Sequence, residues 1–270
     1  MSESTASRFY LTTPIYYVSD VPHLGHAYTT IVGDAITRYE RIRRGSERVF
    51  YLTGTDEHGE KLERAAATHG QSTQAFVDAI AGEYKKTWDI LDIRYDDFIR
   101  TTEPRHKAGV AALWKRLVAS GDIYLGKYAG WYSVRDEAFY AESELVDGKA
   151  PTGAPVEWVE EPSYFFRLSA WQDRLLDFYR QRPDFVLPAT RMNEVTSFVK
   201  GGLQDLSVSR TTFAWGIPVP GDPAHVMYVW LDALANYISA LGYPETNGDP
   251  YRTFWPADFH VVGKDILRFH

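Results

Sequence analysis

Pro22-His23-Leu24-Gly25-His26 is the stretch whose reading decides the fold. It follows an apolar run, Phe9 to Thr13, that reads as a first strand. It opens a long segment, about Leu24 to Arg44, in which Ile31, Ala35, Ile36 and Tyr39 recur at helical spacing. A helix start carries unpaired N–H groups and a partial positive charge, so it attracts phosphate. Histidines three apart at such a start lie on the same side. Gly25 has no side chain, which lets a flat base or a phosphate reach the backbone. Two imidazoles so placed can donate hydrogen bonds to a phosphorus centre whose charge grows in the transition state. The plainer alternative is a polar helix cap with two incidental histidines.

Outward from that point, strands and helices alternate. Gly45 follows the basic last turn and suits a left-handed cap. A second strand is expected at Val49 to Thr53, then a polar loop, Gly54-Thr55-Asp56-Glu57-His58-Gly59. Helices near Glu60 to His69 and Thr73 to Leu91 precede a short strand at Phe98 to Arg100 and a helix from Pro104 to Ser120. This alternation predicts a parallel α/β sheet with helices on its faces. From Ile123 to Leu168 the chain is rich in Gly, Pro and aromatic residues, as an inserted β-rich subdomain would be. Trp131, Tyr132, Tyr140, Trp158 and Phe166 are expected to fill its core. Helices near Ala170 to Arg182 and Asn193 to Lys200 close it. Alternation is expected to resume with a strand at Val226 to Trp230, a helix from Leu231 and a strand at Phe259 to Val262.

The composition narrows the function classes. The chain has 270 residues, 44 % of them hydrophobic, and a net charge of -7, which gives no overall basic footprint for nucleic acid. Arg38, Arg41, Arg43, Arg44 and Arg48 are clustered and read as a solvated helix end. There is no cysteine, which excludes disulfides and thiolate zinc sites. No apolar run is long enough to span a bilayer. Met1 to Ser7 lacks the basic and apolar regions of a signal peptide, so a cytoplasmic location is the default expectation.

The His23-Leu24-Gly25-His26 tetrapeptide resembles the first signature of class I aminoacyl-tRNA synthetases. Four further stretches resemble the bacterial methionyl-tRNA synthetases. They are Thr12 to Tyr17, Leu52 to Gly59, Tyr228-Val229-Trp230-Leu231-Asp232-Ala233, and His260 to His270. They stand in family order and cover nearly the whole chain. The resemblance implies a Rossmann-like nucleotide-binding domain at 1–117 and 203–270, interrupted by a connective subdomain at 118–202. It implies ATP with Mg²⁺, methionine and tRNA(Met) as substrates, and attack of the methionine carboxylate on the α-phosphorus. His23 and His26 would be the catalytic pair against the phosphates, with Gly25, Gly263 and Asp265 near adenosine. Asp56 would hold the substrate ammonium, oriented by Arg210. Ile15, Tyr17, Trp230, Ala233, Tyr237, Ile266 and His270 would form the methionine pocket. Tyr17 and His270 could each place a polar hydrogen near the thioether sulfur.

The pattern departs from the family in places. Leu234 follows Ala233 where many relatives have proline. Trp131 to Glu137 stands where zinc-binding relatives place ligands, so the chain resembles the zinc-free subgroup, and no zinc or other bound metal is expected. The Lys-Met-Ser-Lys-Ser signature lies beyond His270, so residues 1–270 alone are expected to be poorly active or inactive. The alternatives are a standalone amino-acid adenylating paralogue, or a truncated fragment without catalysis. Oligomeric state is not legible.

Overall fold

The computed structural model describes residues 7–136, 138–228 and 230–270; Met1 to Ala6, Glu137 and Val229 lie outside the described residues. In chain order the elements begin with β1 (Phe9–Tyr17), α1 (Leu24–Arg44), β2 (Val49–Asp56), α2 (Glu60–Thr68), α3 (Thr73–Ile90), β3 (Asp97–Arg100) and α4 (Pro104–Ala119). Next come β4 (Ile123–Ser133), β5 (Ala138–Tyr140), β6 (Glu157–Phe166), α5 (Gln172–Gln181), α6 (Ala189–Lys200), β7 (Leu206–Ser207), β8 (Ser209–Arg210) and β9 (Pro218–Val219). The last are β10 (Asp222–Met227), α7 (Trp230–Leu234), α8 (Asn236–Ser239), α9 (Asp249–Phe254) and β11 (Phe259–His260).

The chain divides into two units. The first holds the residues up to Leu113, with Trp215–Ile217 and Leu231–Val262. Its sheet has the order β11-β1-β2-β3, and every pairing is parallel. Leu11, Tyr51, Leu62, Val77, Tyr84 and Trp88 are buried on one side. Tyr10, Leu52, Ile99, Tyr237 and Leu241 form a second cluster. β1 runs four residues past its expected end, through Pro14, with a register shift between Thr12 and Ile15. Proline donates no ladder bond, and the irregularity absorbs the loss. β2 also runs on, to Asp56, so Tyr17 and Asp56 pair at the carboxyl ends of neighbouring strands.

The bounds of α1 agree with the sequence reading, but its buried face does not. Ile31 and Tyr39 are exposed, Ala35 as well, and Ile36 is half-buried. The face against the sheet is Thr30, Gly33, Asp34, Thr37 and Glu40. Small residues let the helix approach closely: the Tyr51 hydroxyl passes under it and donates to Thr30 O at 2.8 Å. A Cβ on Gly33 would stand 2.6 Å from that hydroxyl oxygen. Asp34 accepts from Arg94 N at 2.8 Å and pairs with Arg38 at 2.6 Å. Arg41 reaches Asp96 at 2.6 Å, and Arg43 and Arg44 both pair with Glu40. The basic cluster is thus mostly tied into ion pairs rather than free in solvent. Gly45 does take a positive φ of 94°, but with ψ of 144° it is not the left-handed helical cap expected.

The second unit comprises Trp114–Ala214, Pro218–Trp230 and Gly263–His270. β4 and β6 form a long antiparallel pair from Ile123↔Phe166 to Tyr132↔Glu157, in a sheet ordered β5-β4-β6-β7. β10, expected to resume the parallel alternation, pairs antiparallel with β8 and β9 instead. Periodicity marks a strand but not its partner. Of the expected core rings, Tyr132 is buried, while Trp158 is 55 % exposed and packs edge-on against Trp131 at 5.4 Å. Asp136 accepts from the hydroxyls of Ser133 and Tyr140, each at 3.1 Å, and from Thr152. α6 begins four residues before its expected start, at Ala189.

The close approach at Gly33 gives a paired prediction. Gly33→Ala forces Tyr51 or α1 to move and should cost about 1–3 kcal/mol, the usual range for overpacking. Gly82, in α3 with nothing within 4 Å of its would-be Cβ, is the control. Gly82→Ala should stabilise by about 0.5–1 kcal/mol through helix propensity. Urea denaturation of both variants reads the two signs; equal effects would mean that the Tyr51 contact is unimportant.

Candidate active site

His23 is the N-cap of α1, with extended backbone at φ −111° and ψ 172°. Its Nδ1 accepts the Gly25 N–H at 3.0 Å. In return, His26 Nδ1 accepts the His23 N–H at 3.3 Å, and the two rings stack with centroids 3.6 Å apart. This is a capping box built from two imidazoles. A backbone N–H can only donate, so each Nδ1 is the acceptor nitrogen. The neutral ring must then carry its hydrogen on Nε2. Both histidines therefore offer an Nε2–H at a helix N-terminus, where partial positive charge already favours an anion. Gly25 serves the cap as well: a Cβ there would lie 2.9 Å from the His23 ring.

The surroundings hold His26 in the neutral state. Burial, and then the neighbouring His23, push its pKa down to about 4. Tyr84, which sequence reasoning missed, brings its hydroxyl 3.1 Å from His26 Nδ1. Burial raises the Tyr84 pKa, so the phenol keeps its proton and donates. Tyr16 lies beneath, with its ring 4.7 Å from that of His26. No local motif marks Tyr84; it sits on α3, 58 residues away in sequence.

Asp56 ends β2 and is buried. The residues after it are fixed from several directions. Glu57 is fully buried and accepts from Thr55 Oγ1 at 2.6 Å, Arg100 Nε at 2.7 Å and Thr102 Oγ1 at 2.5 Å. Trp215 Nε1 donates to Glu57 O at 2.6 Å, and Gly59 N donates to Trp215 O at 3.2 Å. Ile15 and Tyr17 on β1 are half-buried, while Ala233 on α7 and Tyr237 on α8 are buried. Tyr237 packs on His260 at 4.5 Å, and His260 Nδ1 lies 2.6 Å from Thr12 Oγ1. His260 is a second residue given no role by the sequence reading.

The remaining expected residues belong to the second unit. Arg210 is buried, donates to Ser207 Oγ and Ser209 O at 2.6 Å each, and lies 3.8 Å over the Tyr228 ring. Trp230 stacks on Phe269 at 4.5 Å and meets His270 edge-on at 6.2 Å. His270 donates Nδ1–H to Ile266 O at 3.0 Å. In the neutral ring that hydrogen is the only one, so Nε2 offers a lone pair rather than the polar hydrogen expected for a thioether. Gly263 caps the 3₁₀ turn Lys264–Phe269, in which Asp265 is exposed and pairs with Lys264. Among the described residues no group of three or more His, Cys, Asp or Glu is placed to hold a metal ion, and no helix is long and apolar enough to cross a membrane.

A parallel α/β sheet with an anion-attracting helix start after its first strand defines a Rossmann-type nucleotide-binding domain. Comparison with known proteins narrows this. Residues 9–155 and 151–270 match the family described as tRNA synthetases class I (M). The chain is 62 % identical over 263 residues to the methionine–tRNA ligase of Rickettsia felis, covering 97 % of this chain and 51 % of that protein. It is 55 % identical to that of Halalkalibacterium halodurans, covering 97 % and 41 %. It superposes on Mycobacterium tuberculosis methionyl-tRNA synthetase in complex with methionyl-adenylate with a TM-score of 0.93 at 52 % identity, over 98 % of this chain and 52 % of that one. The chain belongs to the methionyl branch of the class I aminoacyl-tRNA synthetases. It spans about half the length of the curated relatives it matches.

The depressed pKa of His26 has a definite pH sign. Folding favours the neutral ring, so its contribution to stability is complete above about pH 6.5, the ordinary histidine value, and is lost as pH falls through about 4. An NMR titration of the ring nitrogens should show the Nε2–H tautomer of His26 and a midpoint near 4. A midpoint near the ordinary value would contradict the burial and the cap.

Proposed function

We propose that this chain carries the amino-acid activation step of a methionine–tRNA ligase. The methionine carboxylate attacks the α-phosphorus of MgATP, methionyl-adenylate forms and pyrophosphate leaves. The 3′ end of tRNA(Met) then accepts the methionyl group. The reading rests chiefly on one observation, the paired Nε2–H donors of His23 and His26 at the start of α1. Pentavalent phosphorus gathers negative charge on its oxygens as the carboxylate attacks. Fixed donors aimed there lower the barrier without reorganising. Gly25, Gly263 and Asp265 take the adenosine in this reading.

Asp56, at the carboxyl end of β2, binds the methionine ammonium, as expected of the crevice beyond the strand ends in such sheets. Arg210 orients that carboxylate. Ile15, Tyr17, Trp230, Ala233, Tyr237, Ile266 and His270 enclose the side chain. Because His270 spends its hydrogen on Ile266 O, Tyr17 is the better source of a weak donor to sulfur. The connective subdomain folds without zinc, and Asp136 there gathers the hydroxyls of Ser133 and Tyr140. Such a subdomain keeps its fold in chelator, and stoichiometric zinc in the purified protein would contradict this.

Two kinetic outcomes follow. In methionine-dependent pyrophosphate exchange by the full-length ligase, His23→Ala and His26→Ala should each slow the rate by ~10²–10³-fold, as loss of one transition-state donor does. Near-normal rates would remove the phosphate role. Tyr17→Phe should lower the preference for methionine over norleucine, by no more than about 1–3 kcal/mol for one contact. An unchanged ratio would mean that the sulfur is recognised elsewhere.

A further inference from the structure

Asp232 takes no part in the roles assigned above, yet its carboxylate is only 1 % exposed and both its oxygens are engaged. Oδ2 lies 2.6 Å from Nδ1 of His58, in the loop after β2. Oδ1 lies 2.7 Å from Nε2 of His106, in the first turn of α4. His106 is fully buried, and its Nδ1 lies 2.9 Å from Ser239 Oγ on α8. Asn236 Nδ2 donates to Ala233 O at 2.7 Å, tying α8 back to α7. All of these residues belong to the first unit.

Burial alone would raise the Asp232 pKa, but the two imidazoles outweigh it and hold the carboxyl well below the usual range. The group is therefore ionised, and each ring turns an N–H toward it: Nδ1–H from His58 and Nε2–H from His106. His106 Nδ1 is then free to accept the Ser239 hydroxyl. A buried charge is tolerated only when its lone pairs are used in this way. Well-packed apolar side chains often fill such a space with no loss of stability. What a carboxylate between two rings adds is direction, because each hydrogen bond fixes an angle as well as a distance.

The direction matters because of what is attached. Asp56 stands two residues before His58. Ala233 directly follows Asp232, and Tyr237 lies one turn further on. Glu57, between Asp56 and His58, is pinned on its other side by Arg100 and Thr102. The loop cannot shift at one residue without breaking a buried bond at the next. We propose that Asp232, His58 and His106 form a positioning triad. It sets the spacing between the ammonium site at Asp56 and the pocket wall at Ala233 and Tyr237. The inference rests on the function proposed above, and it makes these three residues determinants of methionine affinity that need not touch methionine.

The test compares substitutions that remove a donor with substitutions that keep it. His58→Ala and Asp232→Asn each break a ring–carboxylate bond. His58→Asn places an amide nitrogen where Nδ1 stood, and His106→Gln places one where Nε2 stood. In pyrophosphate exchange, His58→Ala and Asp232→Asn should raise the methionine KM by ~10–100-fold, the scale of an ångström-sized misplacement. The ATP KM should stay within about 2-fold, because His23 and His26 are held by their own cap. His58→Asn and His106→Gln should restore a methionine KM close to that of the unsubstituted protein. A variant that merely lost folded molecules would lower kcat and leave KM alone, and that result would overturn the proposal, as would donor-keeping variants no better than alanine. Circular dichroism checks folding; if Asp232→Asn does not fold, the His58→Ala and His58→Asn pair decides. Amide hydrogen exchange reads the coupling without any substrate. His58→Ala should speed exchange both at Asp56–Gly59 and at Ala233–Tyr237 but not along α1, and acceleration confined to the loop would refute the triad. Absence of methionine-dependent exchange in the unsubstituted full-length ligase would instead strike the proposed function, leaving the amide measurement to judge the triad.

Discussion

Each of the two histidines at the start of α1 accepts a backbone N–H from the segment that carries the other. This reciprocal cap is the constraint on which the rest of the candidate site depends. It satisfies donors that a helix start leaves unpaired, and it fixes both rings by the same bonds. Because Nδ1 is consumed on each ring, the remaining hydrogen of each neutral ring sits on Nε2. A capping device thereby becomes a pair of oriented donors. The support beneath is continuous. Tyr84 and Tyr16 pack against the His26 ring, and Tyr16 bonds Thr30 at 2.7 Å on the face that α1 presents to the sheet. A change in helix-to-sheet distance would be felt at the imidazoles within a turn or two.

The proposed amino-acid side of the site follows a different rule. Its anchor, Asp56, closes a strand whose following residues are each tied down by a buried polar bond. Glu57 gathers hydroxyls and a guanidinium, His58 meets Asp232, and Gly59 bonds Trp215. Such groups are costly to bury unless fully partnered, and here the partners come from β2, β3, α7 and the segment at Trp215. The outcome is a carboxylate on a rigid strand end, which is what the proposed ammonium site requires. Within the second unit, Arg210 lies over Tyr228 and Trp230 stacks on Phe269.

Much of this architecture was legible in the sequence where the signal is local. α1 could be bounded approximately, at about Leu24 to Arg44, because a cap residue opens it and a basic turn followed by glycine ends it. Its buried face could not, because the residues that meet the sheet are small or polar and carry no hydrophobic signal. Thr30, Gly33 and Thr37 are inside because they permit close approach, while Ile31 and Tyr39 are outside. The strand expected at Val226 to Trp230 overlaps β10 only at Val226 and Met227, Trp230 opens α7 instead, and the antiparallel partners of β10 depend on distant residues. The site divides in the same way. His23, Gly25 and His26 declare themselves by spacing within one turn. His58 and Asp232 each stood inside a quoted motif, yet their bond spans 174 residues and has no local mark. Tyr84 acts through tertiary packing alone and leaves no local pattern, while His260 stands inside a quoted stretch but meets Thr12 and Tyr237 through contacts that have no local mark.

The central claim is that the cap of α1 presents two imidazole donors to the phosphates of ATP while Asp56 holds the amino-acid ammonium. A crystal structure of the protein with MgATP and methioninol tests it most directly, because methioninol keeps the ammonium and side chain but lacks the attacking carboxylate. The account predicts phosphate oxygens within hydrogen-bonding distance of Nε2 on both His23 and His26, with the His23–His26 cap unbroken and the methioninol ammonium on Asp56. Phosphates bound away from α1, or imidazoles rotated to present Nδ1, would contradict it.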